Sequence, residues 1–84
     1  MNIANPELNT AILTVLKHVG APLAADTLLK EVAINLNRPS LTTQDFTDAI
    51  RFLEARDLVS RDISLLGRPL FSITGLGKEA LRGA

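Results

Sequence analysis

Residues 58–74 read LVSRDISLLGRPLFSIT, and this stretch decides the fold. Side chains alternate in character over residues 59–64 and again over residues 70–74, which is the two-residue repeat of β-strands. Between the two runs, residues 66–69 supply the glycine and the proline that are typical of a turn. We therefore predict two antiparallel strands joined as a hairpin. The side chains expected on its buried face are those of Val59, Ile63, Phe71 and Ile73.

The chain before the hairpin opens with the pattern of an amphipathic helix. Asn5 is a favourable N-cap, and Pro6 suits the first helical position because no backbone donor is needed there. Gly20 ends the run. The residues at helical spacing on its apolar face are Leu8, Ile12, Val15, Leu16 and Val19. Leu13 falls off this stripe, so we expect an ordinary exposed leucine or, as the alternative, a contact between protein molecules.

Two more helices are expected before the hairpin. The second covers about residues 24–36, with Ile34 off its apolar face. A loop at residues 35–40 follows, because the residue before a proline disfavours helix and asparagine favours turns. The third helix begins near Thr42 or Thr43, either of which can cap free backbone amides. The buried stripe of the third helix consists of Phe46, Ala49, Ile50 and Leu53.

A short final helix is expected over Gly75–Arg82, with Thr74 as its N-cap. Gly77 within it is expected to be small because the helix passes close to another backbone. Together these elements predict an α+β protein in which three helices are closed by a hairpin and followed by a short helix. We expect residues 1–84 to form one domain.

Composition narrows the range of functions. Of the 84 residues, 46% are apolar and none is cysteine, so a hydrophobic core can form without disulfides. Neither a signal peptide nor a run of about 20 apolar residues is visible, so we expect a cytoplasmic protein with no membrane contact. Nine basic and nine acidic residues give zero net charge, with a slight basic excess in the carboxy-terminal half. The chain thus lacks the strong basic excess that is usual in nucleic-acid-binding proteins.

Few side chains offer catalytic chemistry. The chain has one histidine, His18, and no cysteine, tyrosine or tryptophan. A nucleophilic site needs a second oriented group, and none is suggested by the spacing. Asp45 and Asp48 suit a helix cap and a solvated acid better than a metal site. We therefore expect a binding protein and not an enzyme, with no metal and no cofactor.

Two segments resemble winged helix-turn-helix proteins. Residues 49–62, AIRFLEARDLVSRD, are similar to the end of the recognition helix and the first wing strand of that superfamily, although Asp57 stands where glycine is common. Residues 71–81, FSITGLGKEAL, are similar to the strand-to-helix exit of the wing. The resemblance implies a winged helix, which consists of a three-helix bundle, a two-stranded β-hairpin wing and a short C-terminal helix.

The resemblance also implies a DNA-binding domain, as in a small transcriptional regulator, with double-stranded DNA as its partner. In that superfamily the third helix enters the major groove and the wing contacts the backbone or the minor groove. The residues that it places in these roles are Thr42, Thr43, Gln44, Thr47 and Arg51 in the third helix and Arg61 and Arg68 in the wing. Asp45 and Asp48 on the same helix would repel phosphate, so weak, salt-sensitive binding is expected.

A neutral winged-helix domain also suits an adaptor that binds protein without binding DNA, and a homodimer is compatible with either role. The expected partner contacts are apolar residues off the helical stripes or at the hairpin tip, namely Leu13, Phe52, Leu65 and Leu66. For the two tip leucines, folding back onto the hairpin is the alternative. A contiguous exposed apolar patch would favour the adaptor, whereas a surface of arginine, threonine and glutamine would favour DNA.

Overall fold

The computed structural model describes residues 6–38 and 41–83. The helices are α1 (Pro6–Val19), α2 (Ala25–Leu36), α3 (Thr43–Ala55) and α4 (Gly75–Arg82), and the strands are β1 (Leu23–Ala24), β2 (Val59–Ile63) and β3 (Pro69–Ile73). The predicted α+β order of three helices, a hairpin and a short helix is confirmed. The predicted N-cap, Asn5, lies outside the described residues.

The sheet has three antiparallel strands in the order β1-β3-β2, one more than the sequence predicts. Across the hairpin, Val59 pairs with Ile73 and Ile63 pairs with Pro69. On the other edge of β3, Leu23 pairs with Phe71. Two residues are too few to display an alternating pattern, so only the pairing with β3 reveals β1 as a strand.

α1 packs against α2, α3, α4 and β3, so it is buried on more than one side. Leu8, Ile12 and Leu16 are almost inaccessible, as predicted, but Leu13 is also only 5% exposed. The expectation that Leu13 is exposed or contacts a partner is therefore wrong, because neighbouring elements cover the face of α1 beside the predicted stripe. Val19 was predicted to be buried and is instead 42% exposed at the end of the helix.

The hairpin is buried only near its base. Val59 and Phe71 belong to the core, and Ile73 packs against it while partly exposed. Ile63 was predicted on the buried face, yet it is 59% exposed. It pairs with Pro69 at the distal end of the hairpin, beyond the part that the helices cover. The alternation of strand residues is therefore correct, but it does not reveal where the covering helices stop.

Thr74 lies between the end of β3 and the start of α4, and its side chain also contacts the segment that leads into β2. Its hydroxyl donates to the carbonyl oxygen of Asp57 at 2.6 Å and accepts the backbone N–H of Gly77 at 3.0 Å, which confirms the predicted cap. A Cβ added at Gly77 would lie against the carbonyl oxygen of Leu58 and 2.7 Å from Cγ1 of Ile73. The close approach predicted at Gly77 is thus confirmed.

The turn between α3 and β2 has a left-handed residue, Asp57, with φ of 60°. Its backbone N–H donates to the carbonyl oxygen of Glu54 at 3.0 Å, and the N–H of Leu58 donates to that of Leu53, also at 3.0 Å. Glycine adopts this conformation without steric cost, while aspartate tolerates it better than most residues. The turn therefore places Asp57 in a conformation that glycine would adopt with less strain.

Candidate nucleic-acid interface

One face of α3 is polar and reaches solvent. The helix begins after Thr42, whose hydroxyl accepts the backbone N–H of Asp45 at 3.0 Å, so the predicted cap is confirmed. The predicted core stripe of this helix is fully buried. Outside this stripe, Thr43, Gln44 and Arg51 are exposed and Thr47 is half-buried. The tertiary structure therefore presents these four side chains on one helix, while the Thr42 hydroxyl is already occupied as a cap.

An open groove of about 410 Å³ runs beside this face, between α3, the start of α2 and the sheet. Thr43, Thr47 and Arg51 lie along it, spaced four residues apart on one side of α3. The rest of the lining is apolar at Ala25, Leu29, Phe46, Ile50 and Phe71 and charged at Asp26, Glu54 and Arg61. Within residues 6–38 and 41–83, Arg51 has no ion pair, so its charge is available to an anion.

Gln44 is held by an acidic neighbour on the same helix. Its Nε2 donates to Oδ1 of Asp48 at 2.8 Å, one helical turn away. The pair fixes the direction of the glutamine amide and places a carboxylate beside it. For Gln44 to form the two hydrogen bonds that an adenine offers in the major groove, it must exchange the carboxylate of Asp48 for the base edge.

Arg61 is bound to α3 by a two-point ion pair. Its Nε donates to Oε2 of Glu54 at 2.9 Å and its Nη2 donates to Oε1 at 2.8 Å. The guanidinium also lies over the ring of Phe71, 5.9 Å from the centroid. The hydrogen bonds and the charge of Glu54 raise the pKa of Arg61 above its already high ordinary value. The structure therefore places Arg61 where it links β2 to α3, with its charge compensated.

Arg68 has a different environment, although both arginines belong to the hairpin. It lies in the turn between β2 and β3, is exposed, and forms no ion pair in the described part of the chain. Of the two predicted wing cations, Arg68 is thus the one whose charge remains open to an outside anion.

The residues predicted for protein contact lie in three separate places. Leu13 is in the core, and Phe52 is half-buried on α3, with the guanidinium of Arg56 4.4 Å from its ring centroid. Leu65 and Leu66 lie at the hairpin tip and are fully exposed. The four residues therefore do not form one contiguous patch, and the tip leucines are the part that remains exposed.

Glu54 is the residue of this surface that the sequence reasoning missed. Glu54 lies in α3, and its partner, Arg61, lies seven residues later in β2. No sequence period relates a position in a helix to a position in the following strand. A search for acidic residues in the last turn of α3 would have found Glu54, but it would not have identified Arg61 as its partner.

Other kinds of site are not seen in the described part of the chain. No three histidine, aspartate, glutamate or cysteine side chains there are grouped to hold a metal ion. His18 is exposed near the end of α1. Among the helices described, none is long and apolar enough to span a membrane.

No protein-family model matches the sequence, and no curated protein matches it. Solved structures of transcription regulators match the fold, including the following three. A MarR-family transcriptional regulator from Silicibacter pomeroyi has a TM-score of 0.78 at 16% identity, over 96% of this chain and 50% of that chain. A PadR-family transcription regulator from hypervirulent Clostridium difficile R20291 has a TM-score of 0.72 at 18% identity, over 89% and 79%. MepR, a transcription regulator of the Staphylococcus aureus multidrug efflux pump MepA, has a TM-score of 0.67 at 19% identity, over 94% and 53%.

These similarities show that the chain has the winged helix-turn-helix fold, as its sequence predicts. Identities of 16–19% show the fold alone. The chain spans about half the length of two of the three matched proteins.

Proposed function

We propose that this domain binds double-stranded DNA as part of a transcription regulator, with α3 entering the major groove. The observation that carries the proposal is the exposed polar face of α3, with Gln44 and Arg51, in a fold shared with solved transcription regulators. Arg51 has no ion pair among residues 6–38 and 41–83. Glutamine can recognise adenine and arginine can recognise guanine through paired hydrogen bonds. The hydroxyls of Thr43 and Thr47 suit phosphate oxygens.

The electrostatics of this surface set the expected strength of binding. Asp45 and Asp48 are exposed on α3, and the charge of Arg61 is compensated by Glu54. With zero net charge, the protein has no long-range field to attract a polyanion. We therefore expect binding that is weak at physiological salt and strengthens as the salt concentration falls.

The test is a selection from a random duplex library at low salt, followed by fluorescence anisotropy titrations of the selected duplex. Arg51→Ala should weaken binding by about 1–3 kcal/mol, which is the value of one lost base contact. Asp48→Lys should strengthen it, because a repelling charge is replaced by an attracting one. Lys17→Ala is the matched control, since Lys17 is an exposed cation on α1 with no ion pair in the described residues.

If neither Arg51→Ala nor Asp48→Lys changes the affinity more than Lys17→Ala does, α3 is removed from the interface. Failure to enrich any duplex at low salt would reject DNA binding altogether.

A protein-binding adaptor is the second candidate, and the exposed Leu65 and Leu66 favour it. Light scattering on the isolated domain tests the simplest such partner, a second copy of the chain. A concentration-dependent dimer that binds no duplex supports the adaptor, whereas selective duplex binding that depends on Arg51 rejects it.

A further inference from the structure

The groove between α3, the start of α2 and the sheet has an apolar floor. Its volume of about 410 Å³ lies within the range of about 300–1,000 Å³ that is usual for small-molecule sites. Phe46, Ile50 and Phe71 line it and are each at most 5% exposed, so they form its floor. The two leucines of the hairpin tip, in contrast, stand in solvent, and the alternative that they fold back on the hairpin is wrong. The groove thus gathers apolar side chains at a surface that a ligand can reach.

Among the described residues, four charged side chains line this groove. Glu54 and Arg61 bind each other through two hydrogen bonds. Asp26 lies in the first turn of α2, where the helix N-terminus favours a negative charge, and its Oδ1 accepts the backbone N–H of Thr27 at 2.9 Å. Arg51 has no ion pair in the part of the chain that the structure describes. The charge of the groove that remains open to a ligand is therefore the positive charge of Arg51.

A hydroxyl group lies beside this charge. Thr47 lines the groove one helical turn before Arg51, and side chains four residues apart on a helix are neighbours. Thr47 is half-buried, so it lies deeper in the groove than the exposed Arg51. A guanidinium and a hydroxyl can both donate to the oxygens of one carboxylate. The α3 wall thus offers a set of donors for a carboxylate above an apolar floor.

We propose that the groove binds an alkanoate, which is a carboxylate with a linear apolar tail, and that the bound ligand excludes DNA from α3. The carboxylate accepts hydrogen bonds from Arg51 and Thr47, and the tail lies along the apolar floor. The exclusion of DNA rests on the proposed function, because it requires that Arg51 contacts a base. One guanidinium cannot pair with a ligand carboxylate and with a guanine at the same time.

The charges of the groove favour one class of ligand. An alkylammonium ion would leave Arg51 uncompensated and would be repelled by it. A dicarboxylate or a phosphate ester would bring a second negative charge near Asp26 and Glu54, which line the same groove. A ligand with one negative end and an uncharged tail avoids both repulsions. Because the groove is open to solvent, a linear tail can enter it without any movement of the helices.

The first experiment measures ligand binding by the protein without DNA. Isothermal titration calorimetry at pH 7 compares octanoate, 1-octanol and octylammonium, which share one tail and differ in the charge of the head. Octanoate should bind about tenfold more tightly than 1-octanol, since hydrogen bonds between charged partners are stronger than those between neutral ones. From butanoate to octanoate, each added methylene should raise the affinity about twofold to fourfold, with the upper value for complete burial.

Two substitutions test the charges that line the groove. Arg51→Gln should lower the affinity for octanoate about tenfold, to that of 1-octanol, and should leave 1-octanol binding unchanged. Arg56→Gln is the matched control, because the Arg56 guanidinium lies over the ring of Phe52 and the residue does not line the groove. Asp26→Asn should raise the affinity for octanoate, since it removes a negative charge from the groove.

Three results would overturn the ligand assignment. The first is binding of 1-octanol or octylammonium as tightly as octanoate, and the second is equal octanoate affinity in the Arg51→Gln and Arg56→Gln variants. The third is a dimer, seen by light scattering, that octanoate dissociates, because the groove would then be a contact between two copies of the chain. None of these measurements involves DNA, so they leave the proposed function untouched.

The second experiment adds the selected duplex. Octanoate should release the duplex from the protein in fluorescence anisotropy, at the concentrations that saturate the groove in calorimetry. Sodium acetate at the same concentration is the control for ionic strength, because acetate has the carboxylate without the tail, and it should release much less. Octanoate binding that leaves the duplex bound overturns the exclusion of DNA. A library from which no duplex is enriched rejects the proposed function, and the exclusion with it.

Discussion

Replacing Gly77 with alanine tests how closely α4 approaches the start of the hairpin. The added Cβ would overlap the carbonyl oxygen of Leu58 and lie 2.7 Å from Cγ1 of Ile73. The Leu58 carbonyl cannot move freely, because it accepts the backbone N–H of Thr74 at 3.2 Å. The overlap must therefore be relieved by shifting α4 or by breaking that hydrogen bond.

The size of the effect follows from two opposing terms. Overpacking a tight site costs about 1–3 kcal/mol. Alanine regains up to about 1 kcal/mol over glycine within a helix, which reduces the loss. We expect Gly77→Ala to lower the free energy of unfolding by about 1–2 kcal/mol. In a domain of this size each kcal/mol corresponds to roughly 4–8 °C in the melting temperature.

The assay is thermal and urea unfolding followed by circular dichroism, with Gly75→Ala as the control. Gly75 lies in the same helix, but a Cβ there meets nothing within 4 Å. That variant should be unchanged or more stable by up to about 1 kcal/mol, because alanine reduces the freedom of the unfolded chain. If the two variants melt at the same temperature, or if Gly77→Ala melts above the unmodified protein, the reasoning about this contact is refuted.

Three other changes test the packing of the fold by the same unfolding assays. Leu13→Ala should lower the free energy of unfolding by about 2–5 kcal/mol, because it leaves a cavity in the core. Ile34→Ala, at an exposed position, should change it by no more than about 0.5 kcal/mol. Similar losses of stability in both variants would mean that Leu13 is not buried. Thr74→Val should lower the free energy of unfolding by about 0.5–2 kcal/mol, since it removes a helix cap. Thr74→Ser keeps the hydroxyl and should recover most of that loss, which would not occur if the methyl group were the important part. Asp57→Gly should be neutral or stabilising by up to about 1 kcal/mol, because it relieves a left-handed conformation, and a clear loss of stability would contradict the φ of 60° seen there.

The outward-facing polar positions of α3 were predictable from the sequence, but the pairing of the charged side chains was not. Thr43, Gln44 and Arg51 are outward because their neighbours in sequence form the buried stripe of α3, and that pattern is local. The bond between Arg61 and Glu54 depends on how β2 leaves the helix. As a result, sequence reasoning assigned the two hairpin arginines one role, although the structure gives them different environments.

The amino-acid sequence by itself determined the features that depend on a few consecutive residues. The caps at Thr42 and Thr74 each join a side chain to an amide three residues later, and the change from helical to alternating spacing after Asp57 marks the hairpin. Only the tertiary structure decided the burial of Leu13, the exposure of Ile63 and the pairing of β1 with β3. Those features depend on which distant elements cover each surface, and no local spacing carries that information.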